Sequence, residues 1–144
     1  MKIFAIIDTN VLVSALLNWD SVPGAVMEEA INGNLVPVLH NAIIAEYDEV
    51  LHRKKFPFLE DDIQALLRRI KERGVFWVPA LIDEKLPDEK DVIFYAVTME
   101  VRKEEEAYLV TGNIRHFPVK PYIITPREML SILQNKENIE QEEI

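Results

Sequence analysis

The run Ile3-Phe4-Ala5-Ile6-Ile7 is apolar at every position. A short continuous apolar run predicts a strand buried on both faces, and such strands belong to the middle of parallel sheets. Parallel strands need crossover connections, usually helices. The rest of the chain supplies them. Strands are predicted over 3–7, 35–39, 75–78, 107–111 and 122–125, with helices over 11–17, 22–31, 41–55, 60–73, 89–102 and 126–134. The boundaries are marked by Ser21 before Pro23, by Asn32-Gly33-Asn34, by His40-Asn41, by Phe56-Pro57-Phe58, by Gly74 and by Pro126. Pro37 interrupts the second strand and points to an edge position or a local irregularity. Strands alternating with helices give right-handed crossovers and helices on both faces of the sheet. The fold class is therefore α/β, a three-layer α/β/α arrangement around a mostly parallel sheet of about five strands.

The 144 residues suit one domain with a real core. No repeat, low-complexity stretch or linker divides them. Residues 1–134 form the predicted domain. Residues 135–144 read as an acidic tail, because Lys136 to Ile144 carries four Glu and one Lys. No apolar stretch approaches the roughly 20 residues of a membrane helix. No basic region precedes an apolar core, so no signal peptide is expected. There is no cysteine, which excludes disulfides and thiolate metal sites and fits a reducing, cytoplasmic setting. The net charge of −9, from 16 basic and 25 acidic residues, argues against non-specific phosphate binding. Either the protein avoids nucleic acid, or a metal ion and a local basic patch handle the phosphate.

All strand-to-helix junctions of a parallel α/β sheet lie on one edge, where such folds bind ligands. Asp8 ends the first strand. Glu46 lies in the second turn of the third helix. Asp88 and Asp91 start the helix after the third strand, and Asn113 follows the fourth strand. Each has an ordinary alternative. Asp8 and Asp88 suit helix caps, Asp91 a first-turn acid, Glu46 a surface acid like its neighbour Asp48, and Asn113 a turn beside Gly112. Their convergence on one edge is the stronger signal. Gathered carboxylates repel one another, and a divalent cation with a taste for oxygen, Mg²⁺ or Mn²⁺, relieves this. The chemistry implied is metal-assisted attack of water on a phosphodiester.

Taken together, Asp8-Thr9-Asn10, Glu46, Asp91-Val92-Ile93-Phe94-Tyr95-Ala96 and Tyr108-Leu109-Val110-Thr111-Gly112-Asn113 resemble a PIN domain. The likeness is nearest to the PIN-type toxins of bacterial and archaeal toxin–antitoxin systems, relatives of the VapC ribonucleases. It covers about residues 1 to 134. The resemblance implies that Asp8, Glu46 and Asp91 bind Mg²⁺ or Mn²⁺, that Thr9 and Asn10 orient the first acid, and that Thr111 and Asn113 complete the catalytic edge. Asn113 stands where the family commonly has a further Asp, which leaves three acids and weakens the case for a second metal; Asp88 is a candidate to compensate. The resemblance further implies an RNA substrate, a cognate antitoxin and a homodimer, with helices 41–55 and 60–73 offering a surface.

Thr9, Asn10, Arg115 and His116 are the candidate substrate contacts. Arg53-Lys54-Lys55 and the basic residues of 68–73 read as solvated faces. His40 and His52 have no zinc-site spacing. Phe117-Pro118 reads as an anchor for its loop. The competing reading is a non-catalytic PIN-like module that binds RNA or protein, favoured by Asn113 and the acidic balance and opposed by the three retained acids. A receiver domain lacks its Asp after the third strand and its Lys after the fifth. A haloacid-dehalogenase site lacks a second Asp at position 10, which is Asn.

Overall fold

The computed structural model describes residues 2–79 and 89–142. The elements run β1 (Phe4–Ile7), α1 (Thr9–Leu17), α2 (Val22–Ile31), β2 (Val36–Leu39), α3 (Asn41–Leu51), α4 (Glu60–Arg73), β3 (Val75–Phe76), α5 (Glu89–Val101), β4 (Ala107–Val110), a 3-10 turn (Ile114–His116), β5 (Ile123–Ile124) and α6 (Pro126–Glu142). One five-stranded sheet has the order β3-β2-β1-β4-β5, and every pairing is parallel. This is the three-layer α/β/α architecture that the alternation of elements predicts.

The strand that is apolar throughout takes the centre. All four residues of β1 are buried, with β2 on one side and β4 on the other. Helix α5 packs on β1 and β4, and α4 on β2. Burying several Ile, Leu and Val side chains at roughly 1.5–3 kcal/mol each is what drives this layering.

Local signals account for most boundaries. Ser21 caps α2 by accepting from the Gly24 amide (3.2 Å). At the other end the Gly33 amide donates to the Ala30 carbonyl (3.3 Å) and the Asn34 amide to Glu29 (3.0 Å). That is a Schellman closure, with Gly33 at φ 88°. His40 caps α3 through Nδ1, which accepts from the Ala42 amide (3.0 Å). Thr125 and Glu128 form a reciprocal capping box at the start of α6: Thr125 Oγ1 accepts from the Glu128 amide and Glu128 Oε1 accepts from the Thr125 amide.

Three expectations are corrected. β2 is an inner strand. The Val36 amide donates to the carbonyl of Ile3, the residue before β1 (2.9 Å), so strand alternation turns the Pro37 nitrogen toward β3. Pairing with β3 begins only at Val38, and the missing N–H is not needed there. Helix α3 ends at Leu51 rather than near Lys55. Tightened turns from Arg53 to Val50 (3.1 Å) and Phe56 to Arg53 (3.0 Å) swing the chain toward α4. Helix α6 continues to Glu142, so most of the segment read as a tail is helical. Helix-favouring Gln, Lys and Glu carry it.

His52 ties α3 to α4. Its Nδ1 contacts the Asp48 carbonyl (2.6 Å) and its Nε2 meets Glu60 (2.5 Å). These contacts, with Asp48 first and Glu60 second, raise the His52 pKa. Hydrogen bonds from Gln64 and then His52 lower that of Glu60. His52 therefore contributes below its unfolded pKa and loses the contribution as pH rises through its raised folded value. Glu60 contributes above its unfolded pKa and loses it as pH falls through its lowered folded value. The stability difference between wild type and His52→Ala should peak between the two and fall on the alkaline side, as read from urea unfolding at a series of pH values.

Candidate active site

The chain order reverses between β1 and β4: β2 and β3 lie beyond β1, and β5 beyond β4. In open α/β sheets this switch point is where ligands bind, outside the carboxyl ends of the strands. Asp8 directly follows β1 and Thr111 directly follows β4. The register pairs Ile7 with Val110, which sets the two side by side.

Asp8 sits at the N-cap position of α1, yet its side chain makes no cap hydrogen bond. It turns to the sheet edge instead. Its Oδ2 accepts from Thr111 Oγ1 (2.8 Å) and from Asn10 Nδ2 (3.1 Å). Asn10 Oδ1 accepts from the Gly112 amide (3.0 Å), and Thr111 Oγ1 accepts from the Asn113 amide (2.9 Å). The loops after β1 and β4 are thus laced together around one carboxylate. The Asn113 side chain itself is exposed.

Glu46 comes from α3. The buried Thr9 hydroxyl donates to Glu46 Oε2, so Thr9 reaches the second acid and Asn10 the first. Next to Glu46, the buried Tyr47 hydroxyl donates to the Ile7 carbonyl. The Tyr47 ring packs on Phe94 of α5 with centroids 6.3 Å apart. Phe94 lies one turn after Asp91, so this contact holds the segments carrying Glu46 and Asp91 against each other. Asp91 is buried at 8% exposure. Its Oδ2 lies 3.4 Å from Nδ1 of His116, the last residue of the 3-10 turn. Arg115 is exposed. Asp88 lies outside the described residues.

Burial is the largest influence on Asp8 and raises its pKa. The Thr111 hydroxyl, the Thr9 backbone, His116 and Asn10 pull it back, in that order. Burial, then the nearby charges of Asp8 and Glu46, push the Tyr47 hydroxyl far above its ordinary range. Thr111→Val, which removes the strongest group favouring the Asp8 carboxylate, should raise the Asp8 pKa further. Carboxyl ¹³C titration by NMR reads this shift directly.

The donors suit a hard divalent cation. Asp8 and Asp91 are carboxylates at 6% and 8% exposure, and a cation offsets the cost of ionising such buried groups. Among the described residues no three His, Cys, Asp or Glu side chains form a ready-made cage. Binding through one or two carboxylates, with water and substrate phosphate completing the shell, is the usual manner of Mg²⁺.

Fold and site together define an acidic α/β domain with its candidate functional edge at the switch point. The family model for the PIN domain matches residues 5–115. The chain belongs to the PIN domain family, whose members are typically metal-dependent nucleases. No curated protein and no solved structure gives a significant match. Among the described residues no helix is long and apolar enough to cross a membrane.

Two participants escape a reading of the sequence. Tyr47 looks like one more apolar position of α3, and only its adjacency to Glu46 hints at more. The Gly112 amide as a fixture for Asn10 leaves no sequence signal. Phe117, as expected, buries its ring at 6% exposure and anchors the loop that carries Arg115 and His116.

Proposed function

We propose that this protein is a Mg²⁺- or Mn²⁺-dependent endoribonuclease, acting as the toxin of a toxin–antitoxin pair. The observation that carries the reading is the lacing of Asp8 to Thr111 and Asn10 at the switch point, with Glu46 and Asp91 arriving on α3 and α5. Asp8 and Asp91 would hold the ion, and Glu46 would join through water or orient the attacking water. A bound divalent ion supplies a water of lowered pKa and neutralises charge developing on the phosphate. Asn10 and Thr111 fix the Asp8 carboxylate so that it needs no reorganisation during the reaction. Thr9 does the same for Glu46. Asn113, Arg115 and His116 line the exposed side, where they can meet the scissile phosphate. An antitoxin covering this edge would inhibit the enzyme. Exposed Leu59 (68%), at the start of α4, supports pairing of two copies through α3 and α4.

A second reading, a non-catalytic PIN-like module, is favoured by one observation: Asn113 brings no charge to the edge. Incubating purified protein with a mixed RNA pool, with Mg²⁺, with Mn²⁺ and with chelator, separates the two. Cleavage that the chelator abolishes is the expected result. Well-folded protein that leaves the pool intact with both metals would favour the module.

A further inference from the structure

Asn113 supplies no charge and its side chain is exposed, whereas the next turn brings an imidazole to Asp91. His116 Nδ1 lies 3.4 Å from Asp91 Oδ2, with the imidazole half exposed and the carboxylate largely buried. The same imidazole acts electrostatically on Asp8. Asp91, one of the two acids of the proposed ion site, therefore faces a ring nitrogen directly. Two features hold the backbone that carries that ring. The 3-10 turn closes with the His116 amide donating to the Asn113 carbonyl (3.0 Å), and buried Phe117 pins the chain immediately after it. His116 lies one position beyond the residues the family model matches.

Resting on the metal-nuclease reading above, we propose that His116 is a metal ligand, and that with Asp91 it makes the site select Mn²⁺ over Mg²⁺. The chemistry follows from ligand type. Carboxylate, carbonyl and water suit Mg²⁺ and Mn²⁺ alike, whereas an imidazole nitrogen favours a transition metal over Mg²⁺. A site of acids alone has little ground for choosing between the two. The other two histidines are engaged elsewhere, His40 as the cap of α3 and His52 between α3 and α4.

The test is binding, read without RNA. Mn²⁺ is titrated into the full-length protein and followed by electron paramagnetic resonance, with Mg²⁺ as competitor. Electron spin-echo modulation of the bound Mn²⁺ reports directly coordinated nitrogen. The wild type is expected to show ¹⁴N modulation. His116→Ala should lose it and bind Mn²⁺ about tenfold more weakly, with Mg²⁺ affinity nearly unchanged. His116→Gln, which keeps a polar side chain of similar reach, should behave like His116→Ala if the nitrogen is what matters. Circular dichroism confirms that both variants are folded. Mn²⁺ bound without ¹⁴N modulation, or an unchanged Mn²⁺-to-Mg²⁺ ratio in His116→Ala, overturns the role of His116 and leaves the nuclease reading standing. Failure of the wild type to bind either ion overturns both.

Discussion

Asp8→Asn is expected to cut metal-dependent RNA cleavage by about a hundredfold to a thousandfold, the scale seen when one preorganised charged or polar group is lost from an active site. The same substitution should change the stability of the fold little. Asp8 is 6% exposed, and burial raises its pKa despite four favourable partners. Holding it ionised is a net cost to the folded state. An Asn carbonyl oxygen can still accept from Thr111 and Asn10, and it carries no charge to desolvate. Against this stands one buried amide donor that needs a partner, worth about 1–3 kcal/mol if it finds none. The terms nearly cancel, and the stability change should lie within about 2 kcal/mol of zero.

The sign with pH separates the two proteins. A carboxyl whose folded pKa is raised binds its proton more tightly in the native state. It therefore lowers wild-type stability as pH rises from the unfolded value through the folded one. Asp8→Asn lacks that slope. Parallel urea melts across the acidic range, with cleavage assays on the same preparations, test both halves. A variant that cleaves RNA as well as wild type would remove Asp8 from the mechanism.

The largest stability effect is expected from Gly24→Ala. Gly24 is the third residue of α2, where Ala has the better helix propensity by about 1 kcal/mol. A Cβ there would stand 2.0 Å from the Trp19 carbonyl oxygen and 2.6 Å from its carbon. These are backbone atoms, and no rotamer change relieves them. The Trp19 segment is itself held, because the Trp19 indole donates to Glu28 of α2. Overpacking of this kind costs roughly 1–3 kcal/mol or more, so the clash outweighs the propensity. A net loss of about 2–3 kcal/mol corresponds to a fall in Tm of roughly 4–12 °C for a domain of this size. Thermal unfolding followed at 222 nm measures it. An unchanged or higher Tm would mean that the turn before α2 moves aside freely.

These predictions rest on features of unequal visibility in the sequence. The apolar run ending at Asp8 and the switch from strand to helix periodicity reveal the sheet, the central strand and the acidic edge. Ser21, Gly33 and Gly74 mark helix ends because capping chemistry is local. What local chemistry does not determine is harder to read. Pro37 suggests an edge, and only the short reach of β3 explains why an inner strand tolerates it. The end of α3 depends on where α4 must begin. The helical course of α6 past Gln134 conflicts with a reading of its charge alone. At the site, Asp8 occupies a cap position without capping, because Thr111, remote in sequence, competes for the same oxygen. Tyr47 was hidden for a related reason: a hydroxyl reaching the Ile7 carbonyl looks, in sequence, like any other buried position.

The Asp8–Thr111 bond joins residues 103 positions apart. Order at this edge therefore waits for β4. A ribosome that has released β1, β2 and the helices between them has produced no laced carboxylate, because the partner strand is still unmade. Closing so long a loop is also slow relative to local helix formation. A chain interrupted before β4 would carry the acids Asp8, Glu46 and Asp91 without the Thr111 hydroxyl that steadies the first of them. The same bond that organises the edge thus delays its assembly until β4 has been made.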